Sequence, residues 1–100
     1  MQANRIKELQ EAIEKKEGCK SKYTESVPIS EMFREMQAWV GEVGVFELIG
    51  HRKAKRAYAW NYHERKDGKM MAETTIVLEL PPVDSAQTAV KIAMAAKARE

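Results

Sequence analysis

Two histidines, one cysteine, scattered glycines and a strand of alternating aromatics are the features of this 100-residue chain with chemistry to offer. A zinc site needs four ligands, and His51 and His63 come with neither a cysteine pair nor His-Glu-x-x-His spacing, so no metal is expected. His63 and Glu64 are neighbours on a strand pattern and point to opposite faces, so they do not form a base–carboxylate pair. Cys19 lies between a helix-ending glycine and Lys20, with Lys22 close by, and such cations favour a thiolate. Nucleophilic catalysis also needs a placed base, and none is nominated, so Cys19 reads as a bystander thiol. The stretch Trp39-Val40-Gly41-Glu42-Val43-Gly44 has neither a dinucleotide nor a Walker pattern. The carboxylates are dispersed, with no close pair in an apolar setting to raise a pKa for acid catalysis. The expectation is a non-enzymatic protein without a cofactor.

The dense chemistry is basic and aromatic. Between His51 and Lys69 there are seven Lys/Arg and two acids, a local +5, while the rest of the chain has ten against thirteen, or −3. Arg52, Lys53, Lys55 and Arg56 cluster first. Strict alternation then puts Arg56, Tyr58, Trp60 and Tyr62 on one side of a strand and Lys55, Ala57, Ala59, Asn61 and His63 on the other. Cations steer toward acidic groups or phosphates, and aromatic faces fill protein pockets or stack on bases. The candidate partner-binding surface is therefore Arg52, Lys53, Lys55, Arg56, Tyr58, Trp60 and Tyr62. Its first reading is a protein-interaction module, self-associating or docked on an acidic partner protein. The alternative is a binder of single-stranded RNA or DNA through the same strand; the net charge of +2 and the lack of a known nucleic-acid motif weigh against it.

These residues need elements to hold them. Asn4 to Glu17 reads as a helix, with Asn4 as N-cap, a stripe of Ile6, Leu9 and Ile13, and Gly18 as its stop. Three large apolar residues anchor it weakly, so residues 1–18 are expected to be semi-independent or to find part of their contacts on another chain. Cys19 to Glu25 is polar and loop-like. Within 27–36, Val27 to Arg34 fits a short strand at an edge, since Pro28 cannot donate in a ladder, or Ser30 to Met36 forms a helical turn capped by Ser30. Gln37 to Ile49 is strand-like, with Gly41 and Gly44 marking a bulge or bend. Lys55 to His63 is the alternating strand, Asp67-Gly68 signals a hairpin turn, and Glu73 to Leu80 is a strand with Ile76, Leu78 and Leu80 on one face. Pro81-Pro82 stops it. Asp84 to Arg99 is an alanine-rich helix, with Asp84 and Gln87 at capping-box spacing.

The sum is an α+β fold in one small domain: an N-terminal helix, three or four antiparallel strands, and a C-terminal helix on one face of the sheet. The decisive uncertainty in the sequence is which face. If the closing helix lies on the small Ala57 and Ala59, the aromatic row faces outward and is free to bind. If the aromatics supply the core, that row is inside. No apolar run approaches the roughly 20 residues of a membrane span, the N-terminus lacks an apolar secretory core, and a lone cysteine suits a reducing cytoplasm.

Overall fold

The computed structural model describes the backbone of residues 1–33 and 37–98, and the side chains of residues 1–30, 41–61, 67–69 and 73–96. The chain runs α1 (Ala3–Glu17), β1 (Lys20–Phe33), β2 (Gln37–Ile49), β3 (Arg56–Lys66), β4 (Lys69–Leu78) and α2 (Ala86–Ala98). The strands form one antiparallel sheet in the order β1-β2-β3-β4, an α+β arrangement.

Helix α1 begins one residue before the expected start. Gln2 holds the N-cap position without a side-chain cap bond, so Asn4 is already helical and caps nothing. The first turn is closed by the Ile6 amide on the Gln2 carbonyl, and the terminal amino group meets Glu42 of β2 at 3.1 Å. At the other end Gly18 takes φ +67° and donates to the Glu14 carbonyl, the left-handed stop that glycine allows without a Cβ clash.

The polar stretch after Gly18 is strand, not loop. Ser21 explains this: its amide and hydroxyl both donate to the Glu14 carboxylate, at 2.8 and 3.2 Å, and its carbonyl accepts from Gln10 at 2.6 Å. Helix side chains thus satisfy one side of the strand and β2 satisfies the other. Residues 27–33 continue β1, which overturns the helical alternative there; residues 34–36 lie outside the described residues. Pro28 sits in an outermost strand, as its missing N–H requires.

The expected irregularity is on the other strand of the hairpin. The register of β2 passes Gly41 and Gly44 unbroken, while β1 shifts between Tyr23 and Glu25. Thr24 is the extra residue, and its hydroxyl donates to the Val45 carbonyl at 3.0 Å. Gly44 serves close approach instead: a Cβ there would lie 2.8 Å from Cε1 of the buried Phe46 ring.

The hairpin β3–β4 turns on Asp67 and Gly68, both at positive φ, as the dipeptide predicts. The hairpins β1–β2 and β3–β4 are joined where Gly44–Glu47 pairs with Arg56–Ala59. Helix α2 starts one residue later than its expected capping box. Ser85 and Thr88 form the box: the Thr88 amide donates to Ser85 Oγ at 3.3 Å and the Ser85 amide to Thr88 Oγ1 at 3.0 Å. Asp84 accepts from the Thr88 hydroxyl instead of capping with Gln87.

Each face of the sheet carries one helix. On one side Leu9 and Ile13, with the half-buried Ile6, pack on Phe46, Leu48, Ala54, Ala57 and Ala59, and Ile76, Leu78 and Leu80 join them. On the other, Val83, Ala86, Ala89 and Val90 of α2 and its approach pack on Ile29, Val43, Val45, Tyr58 and Trp60. The packing bears on two readings of the sequence. Helix α1 is well anchored, because Leu9 and Ile13 reach full burial and Arg5 meets the Asn61 carbonyl oxygen at 3.2 Å when that amide is oriented to donate to Thr74. The alanine floor lies under α1, so α2 covers the aromatic side, and Tyr58 and Trp60 are each only 3% exposed. The physical reason is volume: a small-residue helix leaves space over a sheet that large strand residues must fill.

No helix among the described residues is long and apolar enough to cross a membrane.

Candidate interaction surface

The loop 50–55 between β2 and β3 starts at Gly50, whose φ of +86° turns the chain back. His51 then organises it. Its Nδ1 accepts from the amides of Lys53 and Ala54, at 3.0 and 2.9 Å, which leaves the proton on Nε2. That Nε2 faces Glu17 of α1 at 3.1 Å and donates to its carboxylate. Ala54 is buried beneath the loop and the Leu48 amide donates to the Lys55 carbonyl, so the loop is tied at its middle and its end. Arg52, Lys53 and Lys55 are left on the outside, all exposed.

The same pole of the molecule collects cations from elsewhere. Lys15 and Lys16 come from the last turn of α1, which the Glu17–His51 contact brings beside the loop. Lys20 and Lys22 come from the start of β1, where they pair in register with Ile49 and Glu47. Arg56, at the head of β3, is opposite Glu47. Lys22, Glu47 and Arg56 therefore form a row across three strands with alternating charge. Next to it lies Ile49, 57% exposed and paired with Lys20. All of these basic residues are exposed.

The seven residues singled out by sequence separate into three groups. Arg52, Lys53, Lys55 and Arg56 come together on this pole. Tyr58 and Trp60 are in the core under α2, each only 3% exposed. The Tyr62 side chain lies outside the described residues. The continuous basic segment 51–69 is also divided: Lys66 and Lys69 sit at the far turn of β3–β4, about 30 Å of strand away from Arg56 at roughly 3.3 Å per residue. What sequence reasoning missed is Lys15, Lys16, Lys20 and Lys22, which join the loop only through the α1–β1 reversal and the β1–β2 register.

A cavity of about 560 Å³ opens beside this pole, between Thr24–Ile29 of β1, Val45 and Glu47 of β2, Arg56 and Tyr58 of β3, and the first turn of α2. Tyr58 donates its hydroxyl to Glu79, and Arg56 lies 3.9 Å from the same carboxylate. Burial first, then the hydrogen bond and the charge of Glu79, push the Tyr58 hydroxyl up to about 12. Glu25, Glu47 and Asp84 give this side of the pole an acidic margin. Cys19 does not have the depressed pKa that Lys20 and Lys22 suggested: partial burial, then the charges of Glu17 and Glu14, raise it, which holds the thiol protonated. Among the described residues no three His, Cys, Asp or Glu side chains are grouped to hold a metal ion.

No family model, no curated protein and no solved structure matches the chain.

Proposed function

We propose that the protein is a non-enzymatic interaction module that docks on an acidic surface of a partner protein in a reducing cytoplasm, through the pole built from α1's last turn, the start of β1, the loop 50–55 and Arg56. The observation that carries this reading is Ile49, an exposed aliphatic side chain beside Lys20 and the Lys22–Glu47–Arg56 row. Protein interfaces have that composition, an apolar centre with a polar rim, and complementary charge sets their approach and orientation. The nucleic-acid alternative relied on free rings to stack on bases, and the burial of Tyr58 and Trp60 removes two of its three.

The test is a fluorescence anisotropy titration at about 50 and about 300 mM salt. One probe is a glutamate-rich peptide with interspersed leucines, and the others are single- and double-stranded oligonucleotides of matched charge. The expected result is peptide binding that weakens with salt and drops at least tenfold in Arg52→Glu/Lys53→Glu and in Ile49→Ser. Oligonucleotide binding without peptide binding transfers the pole to the alternative, and no binding to any probe overturns both readings.

A further inference from the structure

The sheet ends in two outermost strands, and they are built differently. β1 carries the devices that keep an edge from pairing with another chain: Pro28 without an N–H, a bulge at Thr24, and the exposed Lys20 and Lys22. β4 has neither proline nor bulge. Its register with β3 is unbroken from Lys69 to Leu78, so its outer edge is straight and regular. Ile76, Val77 and Leu78 on it are half-buried, whereas Val43, Val45, Phe46 and Leu48 of the inner strand β2 are buried.

The sequence of β4 also reads as a mirror of itself. From Met70 to Leu78 it runs Met-Met-Ala-Glu-Thr-Thr-Ile-Val-Leu: three apolar, three polar, three apolar, centred on Thr74. An antiparallel pair about a two-fold axis perpendicular to the sheet keeps each face on its own side, so the axis must pass through a residue position. An axis at Thr74 sets Met70 against Leu78, Met71 against Val77, Ala72 against Ile76 and Glu73 against Thr75 of the second copy. The neighbouring registers are worse. An axis at Glu73 opposes two like charges, axes at Ala72 or Thr75 set Glu73 against Met71 or Val77, and an axis at Met71 pairs only five residues of the strand.

We propose that two copies of the chain join β4 to β4 about Thr74, making one continuous eight-stranded sheet. The occupant is a second copy because the edge is complementary to itself in polarity from Met70 to Leu78. The proposal does not depend on the basic pole, which is built from α1, β1, the loop 50–55 and Arg56 and uses no residue of β4, so the two can fail separately.

The test uses the full chain with Cys19→Ser to remove the native thiol. Sedimentation velocity from about 1 to 100 μM is expected to show a dimer that Thr74→Lys, with two like charges on the axis, shifts at least tenfold toward monomer. Thr74 is exposed, and an unchanged far-UV circular dichroism spectrum confirms that the variant folds. The register is read with Thr74→Cys: opposing strand positions are about 4.5–5.5 Å apart at Cα, within disulfide reach. Mild oxidation is expected to give a cross-linked dimer from Thr74→Cys and none from Lys69→Cys, whose equivalent in the second copy is about ten residues along the strand. A strict monomer at 100 μM overturns the proposal, and so does a dimer in which Thr74→Cys cross-links no better than Lys69→Cys.

Discussion

The two faces of the sheet are covered by helices of opposite construction. α1 brings large side chains, Leu9 and Ile13, onto small strand residues, Ala57 and Ala59. α2 brings small ones, Ala86 and Ala89, onto large strand residues, Tyr58 and Trp60. Against β3 each helix is matched because helix and strand volumes are complementary, large to small, and not because small meets small. The alternation of β3 makes both possible at once. One strand offers a methyl-lined side to the helix with reach and a ring-bearing side to the helix without it.

The pairing of sizes can be broken from either side. The largest effect is expected from Trp60→Ala, because it removes the bulkiest side chain from the core under α2; the loss is about 3–5 kcal/mol, read from urea unfolding. Leu9→Ala on the opposite face is expected to cost about 2–5 kcal/mol in the same measurement, against essentially no cost if α1 were only loosely attached. Enlarging the small partners is the sharper comparison. Ala59→Leu and Ala89→Leu fill sites that are already closed and are each expected to cost about 1–3 kcal/mol, though both substitutions raise apolar content. A stabilised Ala89→Leu would show that α2 sits loosely and that the two faces are not built alike.

The smallest effect is seen only in alkali. Below pH 10 the Tyr58 hydroxyl is protonated in folded and unfolded chains alike, so its contribution does not vary. Between about 10 and 12 the unfolded chain gives up that proton first, and stability falls as pH rises. Tyr58→Phe is expected to lose this part of the slope. The measurement is the unfolding midpoint of both proteins at pH 9 and 11. Equal slopes would mean that burial and Glu79 do not hold the hydroxyl above its ordinary range in the folded chain.

Much of the fold could be read from local pattern. Gln37 to Ile49 is a strand with those bounds, Asp67-Gly68 makes its hairpin, and Gly18 stops α1, because each depends on residues adjacent in sequence. The first half of β1 could not be read that way. Its polar residues are strand because Glu14 and Gln10 hold Ser21, contacts that exist only once the chain has reversed. The proposed surface was legible in the same measure. The loop cations are contiguous and were found; the lysines of α1 and β1 are thirty or more residues away and were not. The aromatics misled because alternation shows which side chains share a face but not which helix covers it.

His51 has a further effect on what the loop 50–55 can do. With the amides of Lys53 and Ala54 fixed on its ring and Glu17 on the other nitrogen, the backbone between β2 and β3 is ordered before any encounter. In the proposed docking, a partner meeting Arg52 and Lys53 would have only their rotamers left to immobilise, about 0.5–1.5 kcal/mol for each side chain. In that docking one imidazole would lower the entropic barrier to recognition without touching the partner itself.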